Sequence, residues 1–160
     1  METSLKLSDQ FKLDQDKVAL AAIIHDRGKE INHEELLIIA EKAGVITDES
    51  ERQNPGLLHG PVGAQLLYEE GMIQDQDILK AVRYHTTGRP AMSELEIIIF
   101  LADLIEPGRN YPKVDALRQL SCDNPFVALS KSLDWTLEFL MRKTRVIHPL
   151  TVKTRNYYLN

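Results

Sequence analysis

Residues 20–28 read LAAIIHDRG, an apolar run that ends on an adjacent histidine and aspartate, His25 and Asp26, and then meets a glycine. The apolar positions follow an aspartate suited to be an N-cap and fall at helical spacing, which predicts a helix over Asp14–Ile24. At a helix end, two consecutive side chains that would normally diverge by about 100° can turn toward one point. The stretch therefore predicts a helix that delivers an imidazole and a carboxylate to one site. The expected inward positions of this helix are Val18, Leu20, Ala21 and Ile24.

Helical periodicity continues outward from this stretch along nearly the whole chain, and no segment alternates in the way of a strand. Caps and helix breakers divide the chain into segments. The predicted helices are residues 2–12, 14–24, 32–44, 61–71, 75–85, 93–105 and 124–143, with a short helix at the C-terminus. The predicted loops are residues 46–56, 86–92, 106–112 and 146–151. The fold class is therefore all-α, with one domain across residues 1–160.

Composition excludes several classes of protein. Apolar residues make up 43% and charged residues 27%, as in an ordinary globular domain. There is no apolar run of about 18 residues and no basic-then-apolar leader, so neither a membrane helix nor a signal peptide is expected. The single cysteine, Cys122, excludes an intramolecular disulfide and a thiolate zinc site, and fits a reducing cytoplasm. A net charge of -5 argues against nucleic acid as a partner.

Three more residues near predicted helix ends extend the His-Asp pair into a set of metal-ligand candidates: His59, His85 and Asp103. Imidazole nitrogen mixed with carboxylate oxygen suits iron, manganese or zinc. Asp26 has two carboxylate oxygens and could bridge two cations. Two ions about 3.5–4 Å apart activate a water and stabilise a leaving oxygen, which is what metal-assisted phosphate-ester hydrolysis requires.

Each candidate also has an ordinary structural explanation. His59 beside Gly60 and Pro61 could cap a helix, and His85 could be a half-buried residue at a helix end. Asp103 is harder to explain in this way, because an unpaired carboxylate within the apolar stretch IIIFLADLI would be costly to bury. The five residues taken together, in the order His-Asp, His, His, Asp, favour a metal site.

This order, with the sequence around it, resembles the HD-domain metal-dependent phosphohydrolases. More narrowly, it is similar to the YqeK branch, the symmetrical bis(5'-nucleosyl)-tetraphosphatases that split diadenosine tetraphosphate into two ADP. The similar stretches occur in the family's order and cover nearly all of residues 2–156. They are AAIIHDRGKE, LLHGPVGA, AVRYHTTGRPAM, IIIFLADLIEPGR, VIHPLT and RN. HTTG followed by LADLIEPGR is much more specific than the His-Asp pair alone.

The resemblance implies a single HD-domain helical bundle over residues 1–160 with two divalent metal ions, iron or alternatively manganese. It assigns His25, Asp26 and Asp103 to one metal and His59 and His85 to the other, with Asp26 as the bridge and a catalytic residue. Lys29 is implied to act in catalysis by meeting phosphate oxygens. The residues implied to contact the substrate are Lys29, Thr86, Arg109, Val146, Ile147, His148, Pro149, Leu150 and Thr151.

The implied partner is a small molecule, either a dinucleoside polyphosphate or ADP or GDP. Symmetrical products imply that a metal-activated water attacks a phosphorus beside the central bridging oxygen, with ADP as the leaving group. A bound metal and a few cationic side chains can bring a polyanion to an acidic protein, because they reverse the field inside one pocket.

The chain departs from the family's pattern at its start. The family carries a further ligand histidine on the first helix, and here that position falls upstream of Met1, so the first helix is expected to be cut back. Either the start is truncated or wrongly assigned, or a natural short form has lost a ligand. With His25, Asp26 and Asp103 the first metal retains three protein ligands, a number that catalytic sites tolerate.

Two other functions stay open at this point. The first is a catalytically weakened nucleotide-binding domain, which the loss of a ligand would favour. The second is an HD nucleotidase or cyclic-nucleotide phosphodiesterase, which shares the His-Asp core but gains no particular support from HTTG and EPGR. A homodimer is an open alternative for the assembly, because small helical domains often pair.

Overall fold

The computed structural model describes residues 1–159, which form ten α-helices and one short 3-10 helix and contain no strand. This confirms the all-α fold class. The helices are α1 (Glu2–Ser8), α2 (Gln15–Ile24), α3 (His33–Ala43), α4 (Glu49–Gln53), the 3-10 helix (Pro55–Leu58), α5 (His59–Glu69), α6 (Gln76–Tyr84), α7 (Glu94–Ile105), α8 (Val114–Asp123), α9 (Pro125–Arg142) and α10 (Pro149–Tyr157).

Polar caps begin most of the long helices where the sequence predicts them. The Ser93 hydroxyl accepts from the Glu96 amide at 3.3 Å, and the Glu96 carboxylate accepts from the Ser93 amide at 2.8 Å, which completes a capping box for α7. Gly44 ends α3 in the left-handed conformation at φ 65°. The N-caps Asp14, Asn32, Asp75 and Asn124 also accept hydrogen bonds from first-turn amides.

The predicted loop over residues 46–56 is wrong, since this segment contains α4 and the start of the 3-10 helix. Asp48 and Glu51 form a capping box there, and a run of polar residues hid that signal. Helix α8 was not predicted either, since residues 113–123 were assigned to neither a helix nor a loop. Leu20 is 39% exposed and not inward as expected, and α1 ends at Ser8.

Helix α7 forms the centre of the core. Nine of its twelve residues are buried, and it contacts α1, α2, α6, α8 and α9. The main apolar cluster surrounds it, and a smaller cluster of Leu36, Ala40, Val45, Leu58 and Val62 joins α3 to α5. No helix within residues 1–159 is long and apolar enough to span a bilayer.

Two glycines let three histidine-bearing segments approach one another closely. A Cβ on Gly60 would lie 2.9 Å from the carbonyl oxygens of Val82 and Arg83, so α5 packs directly on the end of α6. A Cβ on Gly28 would lie 2.3 Å from the carbonyl oxygen of His59. Both contacts are too short for any larger residue without a backbone shift. The two glycines therefore allow the backbone at His59 to pack against the turn after α2 and against the end of α6.

Candidate metal centre

Three histidines lie at helix ends and share one hydrogen-bonding pattern. His25 follows α2, His59 begins α5 and His85 follows α6. In each ring Nδ1 lies within hydrogen-bond distance of the carbonyl oxygen three residues earlier. The distances are 2.9 Å to Ala22, 2.6 Å to Gly56 and 2.7 Å to Val82. Because a carbonyl only accepts, Nδ1 carries the proton in all three rings and Nε2 presents its lone pair.

The three Nε2 atoms converge on the carboxylate of Asp26. Its Oδ1 lies 3.6 Å from His59 Nε2 and 3.7 Å from His85 Nε2, and its Oδ2 lies 3.6 Å from His25 Nε2. One ligand atom each from His25, Asp26 and His85 forms a group whose members all lie within 4.8 Å of one another. One Asp26 oxygen therefore faces His25, and the other faces His59 and His85.

Asp103 joins the same site from the last turn of α7. Its Oδ1 lies 3.8 Å from His25 Nε2 and accepts from Arg109 Nη2 at 2.6 Å. Arg109 Nε also donates to the Asp103 carbonyl oxygen at 3.0 Å. The structure thus brings all five ligand candidates together, although they come from four separate segments of the chain.

These residues fit a divalent metal on the chemistry of the donors. His59 Nε2 and His85 Nε2 lie 2.8 Å apart, and both present lone pairs once their Nδ1 atoms donate to the backbone. Two facing acceptors repel unless a proton or a cation lies between them. His25 Nε2 is buried and has no hydrogen-bond partner. Histidine ligands of metals typically hold the other ring nitrogen to a carbonyl in this way, which fixes the tautomer.

The electrostatics of the site favour the metal-binding protonation states of His85, Asp103 and Asp26. Burial lowers the pKa of His25, but Asp103 and Asp26 outweigh burial, so that pKa is raised. Burial, together with repulsion from His59 and His25, lowers the pKa of His85 to about 4, so its ring is neutral at pH 7. Burial alone would raise the pKa of Asp103, but His25 and Arg109 outweigh it and hold that pKa well below its usual range. The pKa of Asp26 is likewise lowered, because Lys29 and His25 outweigh burial.

Two cations and one hydroxyl border the carboxylates and histidines. Lys29 Nζ lies 2.6 Å from Asp26 Oδ2, and Arg109 pairs with Asp103 as described above. Thr86 is exposed, and its Oγ1 lies 3.5 Å from His59 Nε2. The predicted Lys29, Thr86 and Arg109 are thus all neighbours of the predicted ligands, at the rim of the same site.

The predicted substrate-contacting segment, residues 146–151, lies at the start of α10. His148 is the N-cap, and its Nδ1 accepts from the Leu150 amide at 3.0 Å. Its ring is buried against Glu51 of α4. Helix α10 reaches the turn after His85 through Thr154, whose hydroxyl lies 3.5 Å from the Thr87 carbonyl oxygen. Contact between this segment and a nucleotide stays a prediction.

A cavity of about 120 Å³ is lined by His25 and Asp103 but not by His59 or His85. The first four residues of the chain line it together with Ala22, Ile99, Ala102, Glu106 and Pro107. The N-terminal end of α1 therefore lies beside the site. A further ligand from upstream of Met1 stays a prediction.

Sequence reasoning missed two residues that bond segments beside this site, Glu51 and Arg118. Glu51 is 4% exposed, and its signal was readable as the third helical position of a capping box after Asp48. Arg118 lies on the unpredicted α8, and a single arginine on a helix gives no local signal of its contacts. Both make contacts with segments that are distant in sequence or separated by a loop.

The protein is an all-α bundle in which a His-Asp pair lies close to two further histidines and a second carboxylate. This arrangement is typical of HD-domain proteins. The HD-domain family model matches residues 1–108, and the chain belongs to the HD-domain family.

Its relatives within this family are similar over nearly the full chain. A Bacillus subtilis protein named symmetrical bis(5'-nucleosyl)-tetraphosphatase is 42% identical over 100% of this chain and 86% of that protein. A Halalkalibacterium halodurans protein of the same name is also 42% identical, over 99% of this chain and 84% of its own length. A crystal structure from Clostridium acetobutylicum, titled as a predicted HD superfamily hydrolase involved in NAD metabolism, has a TM-score of 0.94 at 37% identity. It covers 99% of this chain, which in turn covers 84% of that chain.

Proposed function

We propose that this protein is a metal-dependent hydrolase that cleaves diadenosine tetraphosphate symmetrically into two ADP. The names of relatives that are 42% identical over almost the whole chain support the substrate and the products. The observation that carries the chemistry is the convergence of three histidine lone pairs on the two oxygens of Asp26. Hydrolysis of a phosphate anhydride needs cations beside the phosphates, and these nitrogen and oxygen donors are suited to bind divalent cations.

Two ions would be held by two halves of the donor set. His25, Asp26 and Asp103 form one half, and His59 with His85 forms the other, with one Asp26 oxygen facing each half. When bound, the metals would supply positive charge to the phosphates and lower the pKa of the attacking water. Histidine and carboxylate donors without a thiolate are consistent with iron or manganese.

The chain's own cations would bind and orient the polyphosphate. Lys29 and Arg109 flank the two carboxylates and carry charge to phosphate oxygens, and a guanidinium can make paired contacts with them. The exposed Thr86 hydroxyl is placed to donate to a phosphate beside His59. Cations held in place before the reaction stabilise charge as it develops, which is the main contribution a protein makes to phosphoryl transfer.

The test is product analysis with purified protein supplied with iron or manganese. Diadenosine tetraphosphate should yield ADP alone. ATP with AMP would contradict symmetrical cleavage, and absence of turnover together with tight nucleotide binding would support the weakened binding domain instead. Turnover of mononucleotides or cyclic nucleotides in preference to the dinucleotide would support the nucleotidase or phosphodiesterase alternative.

Two further properties complete the proposal. A cytoplasmic location fits an exposed, unpaired Cys122, because such thiols persist in a reducing compartment.

A homodimer would cover part of the exposed apolar surface, to which Ile23 and Met141 contribute at 65% and 63% exposure. Light scattering of the purified protein would report the oligomeric state directly.

A further inference from the structure

Arg118 on α8 makes an unusual set of contacts with the loop that follows α7. Its guanidinium donates to three backbone carbonyl oxygens, one at the last residue of α7 and two in this loop. They belong to Ile105 at 3.1 Å, Glu106 at 2.9 Å and Arg109 at 2.9 Å. A fourth bond, to the carboxylate of Asp115 at 2.6 Å, holds the guanidinium on its own helix. One side chain therefore bonds backbone carbonyl oxygens at both ends of the segment 105–109.

That loop, residues 106–109, carries Arg109 back to the metal centre. Glu106, Pro107 and Gly108 are exposed, and the Arg109 amide donates to the Glu106 carbonyl oxygen at 3.0 Å. The Arg109 side chain then returns to Asp103 through two hydrogen bonds. The direction of that side chain depends on where the loop places the Arg109 backbone, and Arg118 is the group that bonds the Arg109 carbonyl oxygen.

Arginine is the residue suited to this task. Its planar guanidinium presents five N–H donors in a fixed fork, so it can bond several carbonyl oxygens at once. Nη2 alone donates to the Glu106 and Arg109 carbonyl oxygens, while Nε donates to Ile105 and Nη1 to Asp115. The ammonium of a lysine has one nitrogen, so it would keep the charge but lose the bonds to Ile105 and Asp115 that fix where that nitrogen lies.

We propose that Arg118 is a positioning residue, which sets Arg109 at the metal centre by holding the loop of residues 106–109. Arg118 does not contact the site itself and acts through Arg109. The substrate that Arg109 then meets, a polyphosphate, rests on the proposed function.

The first experiment compares Arg118→Lys with Arg142→Lys, an exposed arginine on α9 that serves as the matched control. With diadenosine tetraphosphate as substrate, Arg118→Lys should raise KM about tenfold with a smaller change in kcat, and the control should change neither. A merely structural role would reduce the amount of folded enzyme, which lowers the apparent kcat and leaves KM unchanged; that result would overturn the proposal.

A double-mutant cycle tests whether Arg118 acts through Arg109. If it does, Arg118→Lys should have almost no further effect on kcat/KM once Arg109 is replaced by alanine. Independent, additive effects of the two substitutions would contradict the assignment.

An NMR measurement separates this proposal from the proposed function, because it needs no substrate. Arg109 Nε–H is hydrogen-bonded to the Asp103 carbonyl oxygen, so it should give an ordered side-chain resonance in the wild type and in Arg142→Lys. In Arg118→Lys that resonance should weaken and show fast motion. An unchanged resonance would refute the positioning role, whereas failure of the wild type to hydrolyse the dinucleotide would refute only the proposed function.

Discussion

Nε2 of His148 lies 3.4 Å from Oε1 of Glu51, and each side chain is only 5% exposed. His148 Nδ1 already accepts from the Leu150 amide, so its proton is on Nε2, which faces the Glu51 carboxylate. The other Glu51 oxygen accepts from the amides of Thr47 and Asp48, at 2.6 Å and 3.1 Å. This buried pair therefore joins α4, which leads toward His59, to the first turn of α10.

Replacing Glu51 by glutamine should destabilise the protein. The amide is the same size, but only its carbonyl oxygen accepts, so either the Thr47 and Asp48 amides or the His148 Nε2–H would face the NH2 group, donor against donor. We expect a loss of about 1–3 kcal/mol in the free energy of unfolding at pH 7, measured by urea denaturation. Glu49→Gln is the control, because Glu49 lies on the same helix with its side chain 71% exposed, and it should cost almost nothing. Equal stability of the two variants would contradict this account of the pair.

The contribution of Glu51 should depend on pH in a defined direction. Burial raises the pKa of this carboxyl, but the His148 ring and the two backbone amides outweigh it, so its pKa lies below the ordinary 4.5. A lowered folded-state pKa means that the stabilisation is fully present above pH 4.5 and is lost as pH falls through the folded-state pKa. The difference in stability between wild type and Glu51→Gln should therefore shrink below about pH 4.5. A difference that grows on acidification would show that the sign is wrong.

The contrast between Glu51 and Asp26 shows how far the sequence could predict this protein. Asp26 was predictable because it stands beside His25 at a helix end, in stretches that resemble a family with a known order of ligands. The long helices were predictable because their caps and apolar spacing are local. The contacts of Glu51 with His148 and of Arg118 with the segment after α7 were not, because no local pattern reports a tertiary contact of this kind.

Lys29 tests the proposed phosphate contacts. Lys29→Gln removes the charge beside Asp26, and we expect kcat/KM for diadenosine tetraphosphate to fall about 10²-fold. Lys42→Gln is a matched control, because Lys42 is an exposed lysine in the last turn of α3. Steady-state kinetics of the two variants checks this. A loss of the same size in both would point to a general effect of charge on substrate attraction.

His85 tests the metal ligands. His85→Ala removes a neutral metal-ligating nitrogen, Nε2, which lies 2.8 Å from His59 Nε2. This variant should abolish measurable turnover, as should Asp26→Ala. Far-UV circular dichroism should stay close to wild type, since the helices are held mainly by the apolar cluster around α7. Metal content after reconstitution should fall in both variants. The control His33→Ala changes an exposed histidine and should keep metal and activity. Full metal loading of His85→Ala would remove this residue from the ligand set.

The attacking group can be identified by hydrolysis in water enriched in heavy oxygen. Histidine, aspartate and lysine side chains line the site, and the proposed reaction uses water as the nucleophile with no covalent enzyme intermediate. Attack at a phosphorus beside the central bridging oxygen puts one solvent oxygen on the terminal phosphate of one ADP, while the departing ADP keeps the bridging oxygen. Mass spectrometry of a single turnover should therefore find labelled and unlabelled ADP in equal amounts. Label in neither product would exclude water as the source of the new oxygen, and label in AMP would place the cleavage at a different anhydride.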